Sequence, residues 1–249
     1  MWEYVISFDD DVSSQYFKCE IENIIKKYNG IVTILNSNTY SKVLIAVPII
    51  ERFKFHNILR EKIAETILVK FKSKYILSKL EFDLTPTEDM QIFLKALVVF
   101  DTDIDKEIIM ERLKFDSNLV VSSFVNFKLS FLKRKWQELI SLANDNSMYL
   151  LSKDSFLELI KFLISNLEHR YYVVNVFLKQ NCYFLCDTKG NKISDYLLKE
   201  SIVYDDNNLL VSLVSLNPEK IILHCNNLVK DKILNSIYTL FSNRVEIRK

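Results

Sequence analysis

Glycine is almost absent. Only Gly30 and Gly190 occur in 249 residues, and a phosphate-cradling loop needs several glycines so that the backbone can turn sharply and approach the ligand. Neither G-x-G-x-x-G nor G-x-x-x-x-G-K-[ST] can be written with two glycines so far apart. Ordinary P-loop NTPases, typical Rossmann dehydrogenases and protein kinases are therefore disfavoured. Long apolar runs are missing too: the longest, such as Val43 to Ile50 and Leu209 to Leu216, fall far short of the ~20 residues of a spanning helix. The opening MWEYVISFDDD is acidic and lacks the basic region of a secretory signal, so no signal peptide is expected. Four cysteines do not make a disulfide framework in a chain of this size, and the reducing cytosol is the expected compartment. Nor is there an excess of either charge. Lys+Arg 33 against Asp+Glu 32 gives no global field to steer nucleic acid or an anionic membrane, although local patches can act.

What remains is an ordinary globular balance, 49% hydrophobic and 26% charged, enough for one large domain or two small ones. Trp2 to Phe8 alternates as a strand. A helix is expected from about Val12 to Tyr28, with Phe17, Ile21, Ile24, Ile25 and Tyr28 on one stripe. Asn29-Gly30 stops it, with Gly30 suited to a left-handed cap. Ile31 to Leu35 and Tyr40 to Val47 read as strands around Asn36-Ser37-Asn38. From Pro48 the middle is helical. Thr85-Pro86-Thr87-Glu88 has the form of a capped helix start, and further helices are expected near Asp103 to Lys114, Asn126 to Leu142 and from Asp154 or Ser155. The end returns to strands: a hairpin of Tyr171 to Leu178 and Cys182 to Cys186, a turn at Asp187 to Gly190, and a strand at Lys220 to His224. A helix marked by Val229 to Phe241 and a last strand at Arg244 to Ile247 complete a parallel crossover. Leu209 to Leu216 is ambiguous by period. The expected class is mixed α+β: β-α-β-β, a helical middle, then a hairpin and a β-α-β unit. A boundary is placed near Asp116 to Asn118, giving regions 1–117 and 118–249.

His224 and Cys225 close a strand, where α/β proteins often place functional groups. With Cys182 and Cys186 they offer soft metal ligands. Residues four apart on a strand stand ~13 Å apart, however, too far to chelate one zinc; two buried apolar thiols suit that spacing better. Neither a metal nor a cofactor is expected, and His224 is weighed as a catalytic base against a satisfied structural histidine, which is the expectation. Asp101-Thr102-Asp103-Ile104-Asp105 imitates a calcium loop, but Lys106 stands where Gly is wanted and Arg112 where a bidentate Glu is needed. These acids are read as capping the next helix. Lys70, Lys72 and Lys74 form one basic run; Lys133, Arg134 and Lys135, beside Trp136, form another. Such cations can meet phosphates or an anionic membrane surface, and an aromatic neighbour can stack on bases. Nearby glutamates balance them, and solvated helix faces are the expected reading. No nucleophile elbow can be built on Gly190 alone, and the adjacent Asp205 and Asp206 carry no signal. No catalytic residue is assigned.

Six segments follow one another in a distinctive order: FVNFKL from Phe124, SFLELIKFLIS, YYVVNVFL, YFLCDTKGNKI, LLVSLVSLNPEKIILH and ILNSIYTLFSNRVEI. The series resembles the YtxC-like sporulation proteins of spore-forming, low-GC bacteria. It covers roughly residues 120 to 248 and is strongest at Asn217 to His224, with Phe241, Arg244 and Val245 after one helix. The resemblance implies a role in sporulation. The family's biochemical activity is unknown, so no catalytic residue is carried over. The expectation is a cytosolic, non-enzymatic protein that binds an unidentified protein partner. The alternative is an enzyme or nucleic-acid-binding protein with its site near His224.

Overall fold

A computed structural model describes residues 1–36, 40–81, 88–145, 153–179, 182–198, 209–225 and 231–248. In chain order the elements are β1 (Trp2–Phe8), α1 (Asp11–Lys26), β2 (Ile31–Asn36), β3 (Ser41–Val47), a short 3-10 turn (Ile49–Glu51), α2 (Arg52–Thr66), a π-helical stretch (Ile67–Lys72), α3 (Ser73–Leu77), α4 (Glu88–Val99), α5 (Thr102–Arg112), β4 (Asn118–Val120), α6 (Val121–Ser123), a second π-helical stretch (Phe124–Lys128), α7 (Ser130–Asp145), α8 (Lys153–Asn166), β5 (Tyr171–Lys179), β6 (Cys182–Cys186), α9 (Leu209–Leu216), β7 (Pro218–Cys225), α10 (Asp231–Phe241) and β8 (Val245–Arg248). The class is α+β. Ser37, Asn38, the Thr85-Pro86-Thr87 cap, Asp205, Asp206 and Val229 lie outside the described residues. Two compact units are present. The first combines Met1–Tyr75 with Thr102–Glu138, the second Ile76–Asp101 with Leu139–Lys249. Asp116 to Asn118 runs from the loop after α5 into the first residue of β4, within the first.

The first unit is built on a sheet of order β2-β3-β1-β4, antiparallel except for the β1–β4 pair. Alternation buries Tyr4, Ile6 and Phe8 of β1 with Val43, Ile45 and Val47 of β3. Against them pack Phe17, Ile21 and Ile25 of α1 and Phe55, Leu59 and Ile63 of α2, each set at helical spacing. The Asp10 carboxylate caps α1 by accepting from Ser13 N–H at 2.7 Å.

The stop after α1 differs from the sequence expectation. Asn29, not Gly30, takes the left-handed conformation, with φ 51°; its short polar side chain tolerates it. Gly30 is needed for a different reason. A Cβ there would lie 2.6 Å from Ile25 Cγ1, 2.7 Å from the Ala46 carbonyl oxygen and 2.9 Å from Val47 Cγ1. The glycine lets the helix end close onto β3. Gly30→Ala is therefore expected to destabilise the first unit by roughly 1–3 kcal/mol, read as a lower denaturation midpoint. An unchanged midpoint would mean that this approach is not close.

One charge assignment is also corrected. Lys70, Lys72 and Lys74 do not share one solvated face. Lys72 is fully buried, and its Nζ donates to Asp105 Oδ2 at 2.8 Å; Lys70 lies over the Tyr16 ring, and Lys74 is exposed. The π-helical stretch from Ile67 to Lys72 widens the turn by a residue, which shifts the phase and rotates Lys72 inward. Asp103 and Asp105 do stand in the first turn of α5, but Asp105 is also wholly buried. Its Oδ2 also accepts from Trp136 Nε1 at 2.8 Å, and Lys135 Nζ stands 3.5 Å from Oδ1.

In the second unit the sheet order is β6-β5-β7-β8. The β5–β6 hairpin is antiparallel, while β5–β7 and β7–β8 are parallel. Val174, Val176, Leu185, Ile221 and Leu223 line its core face, joined by Ile160, Leu163 and Ile164 of α8, Leu167 just after it, and Ile237, Leu240 and Phe241 of α10. Leu209 to Leu216 is a helix. Nearly all of it is buried, so no polar face sets a period.

Candidate functional site

The three parallel strands β5, β7 and β8 end on one edge of the second sheet, and His224 stands there. Register places Phe177 of β5, His224 of β7 and Arg248 of β8 in one row, with Phe184 of β6 beyond Phe177. The neighbouring row is Cys186, Asn175, Ile222 and Glu246. Registered residues share a face, and this is the face opposite the apolar core.

His224 is half-buried and held on two sides. Its ring stacks on Phe177, with centroids 4.3 Å apart and planes 10° apart. Its Nε2 lies 2.9 Å from Asn175 Oδ1. The Asn175 amide is itself oriented, because Nδ2 donates to the Asp187 carbonyl at 3.1 Å. With Oδ1 thereby turned to the imidazole, Nε2 must carry the proton, and Nδ1 keeps the lone pair in the neutral ring. The Asp187 carboxylate is committed to its turn. It accepts from the backbone N–H groups of Asn191 and Lys189, each at 2.8 Å, and these bonds, the Asn191 one first, hold its pKa below the usual carboxylate value. On β8, Glu246 accepts from Lys220 Nζ at 2.5 Å and Arg248 Nε at 2.9 Å, and these hydrogen bonds lower its pKa. Beside the His224–Phe177 stack lies an open cavity of about 280 Å³, lined by Phe177, Phe184, Cys186, Gly190 and Lys192.

Sequence reasoning placed His224 at a strand end and Cys186 on a hairpin; the structure sets both on one face. It does not join them into a metal centre: among the described residues no three His, Cys, Asp or Glu side chains are grouped to hold an ion. The side chains of Cys182 and Cys225 lie outside the described residues. Trp136 is buried and bonded to Asp105, so it presents no ring for base stacking. Asn175 was not recognisable as the partner of His224, since that pairing depends on the β5–β7 register.

A second polar centre explains the Asn217-Pro218 motif. Asn217 is fully buried with φ 34°. Its Nδ2 donates to the Leu167 and Glu168 carbonyls at 2.8 and 3.2 Å. Oδ1 accepts from Arg244 Nη1 at 2.8 Å, and the backbone N–H donates to the Leu213 carbonyl at 2.8 Å. One side chain thus joins the end of α8 to the approach to β8, at the point where α9 gives way to β7.

The family model for YtxC-like proteins matches residues 55–246. The chain belongs to the YtxC-like family. This YtxC-like match begins well before Phe124 and takes in the helical middle, where the sequence offered no recognisable motif. It includes the Lys72–Asp105–Trp136 group, Asn175, His224 and the Asn217–Arg244 pair. No curated protein and no solved structure matches the chain. Among the described residues no helix is long and apolar enough to cross a membrane.

Proposed function

We propose that this YtxC-like protein is a non-enzymatic, cytosolic binding protein acting in spore formation. Family membership supports the biological context. The molecular part rests on one observation: the contacts of His224 are Asn175 and Phe177. A catalytic imidazole is typically paired with a nucleophile on one side and oriented by a carboxylate on the other. Here an amide replaces the carboxylate, and a phenyl ring occupies one face. An open, half-apolar sheet face with a shallow cavity suits recognition of a protein partner.

The test is deletion in a spore-forming host, followed by complementation. Deletion is expected to leave vegetative growth intact and lower the count of heat-resistant spores, with a His224→Ala chain restoring it. Slow growth with normal spore yield would reject the sporulation reading. Catalytic turnover or specific nucleic-acid binding by the purified chain, lost in a folded His224→Ala variant, would reject the non-enzymatic reading in favour of an enzyme or nucleic-acid site at His224.

A further inference from the structure

Five large apolar side chains of the first unit are exposed at one end of its α2–α5 pair. Ile49, Ile50 and Phe53, at the entry to α2, are 65, 85 and 78% exposed. Phe127 and Phe131, on either side of the break before α7, are 79 and 46% exposed. Helices α2 and α5 run antiparallel, since Arg60 donates to the Met110 and Leu113 carbonyls while Lys106 reaches Glu65, a turn further along α2. The start of α2 therefore adjoins the end of α5, where Arg52 pairs with Asp116. Arg112 at that end donates to the Lys128 carbonyl at 3.0 Å, tying the Phe127 corner to it. Asn126, Phe127, Lys128, Ser130 and Phe131 are all exposed and only Leu129 is buried, so the corner protrudes.

Charge identifies the occupant. The stretch Asn126 to Lys135 carries Lys128, Lys133, Arg134 and Lys135 and no carboxylate. Lys54, Arg112 and Lys114 are exposed at the same end, against half-buried Glu51, exposed Glu111 and Asp116, the last taken up by Arg52. We propose that this end of the first unit docks peripherally on an anionic lipid surface. Phe127, Phe131, Ile50 and Phe53 enter the boundary between headgroups and acyl chains, and Lys128, Arg134 and Arg112 meet the headgroup charges. Protruding rings without a polar handle suit insertion. Single-stranded nucleic acid asks instead for a groove with open ring faces, and the Phe131 ring already carries the Arg134 guanidinium 5.5 Å from its centroid. A second copy docking the same end would bring like charges together. This surface is independent of the proposal for His224.

The full-length chain is sedimented with vesicles of phosphatidylcholine alone and with vesicles containing roughly one third phosphatidylglycerol, at low and high salt. Binding is expected only to the anionic vesicles and is expected to weaken with salt. Phe127→Ser/Phe131→Ser and Lys128→Glu/Arg134→Glu should each reduce it about tenfold or more, with melting curves unchanged because these side chains are exposed. Absence of anionic-vesicle binding, or binding indifferent to both salt and substitutions, overturns the proposal. So does the finding that the same substitutions instead abolish a dimer in size-exclusion chromatography or the binding of a single-stranded oligonucleotide.

Discussion

Asp105→Leu is expected to destabilise the first unit by roughly 3–5 kcal/mol. Lys72 and Asp105 both have fully buried side chains. Removing the carboxylate takes the 2.8 Å counter-charge from a fully buried ammonium and the acceptor from Trp136 Nε1. Weakening the compensation of a buried charge dominates, because the pair itself is worth far less than the desolvation of the ion left behind. The double variant Lys72→Met/Asp105→Leu is expected to recover most of the loss, since apolar residues of similar volume can replace a buried ion pair at little cost. Denaturant titration of wild type, single and double variants measures both. A single variant with wild-type stability would mean that Lys72 reaches solvent.

Asn217→Ala should destabilise the second unit by about 3 kcal/mol. The substitution leaves the Leu167 and Glu168 carbonyls and the Arg244 guanidinium without their partner, and it puts alanine, which tolerates a positive φ less well than asparagine, at φ 34°. Asn217→Gly separates the two effects, because glycine accepts that backbone conformation while losing the same side-chain bonds. It should recover only the smaller, conformational part. If glycine restored full stability, the hydrogen bonds would contribute nothing and the motif would be a backbone requirement alone. With two units in the chain the unfolding curve need not be two-state, so the transition should be followed with a probe in the second sheet.

What could be read in advance was what neighbours in sequence determine. The β1-α1-β2-β3 order, the β5–β6 hairpin and the β7-α10-β8 crossover rest on local periodicity and turn residues. Interactions that depend on distant register did not show. β4 is three residues long, Asn118–Val120, and pairs with β1 more than a hundred positions earlier, too short to display alternation. The inward turn of Lys72 follows from a π-helical phase shift that no residue type announces. At Asn29-Gly30 the dipeptide was recognised as a stop, but which residue needed the positive φ depended on β3 closing against it. At the candidate site the position of His224 was legible, whereas its amide partner was hidden in the pairing of β5 with β7. The family likeness was visible from Phe124 onward and missed earlier, because a helical stretch without glycine or proline punctuation offers few landmarks.

The two units are threaded through each other in sequence, and this has a consequence during synthesis. The first can be completed only when residue 138 has emerged, yet by then 76–101 has long been outside the ribosome. That segment carries α4, buried from Ile92 to Val99 and packed on α8 and α9, neither of which has yet emerged. A nascent chain at that stage holds a finished first body and an orphaned greasy helix, a natural client for a chaperone. No single proteolytic cut or truncation can deliver either body free of residues that belong to the other.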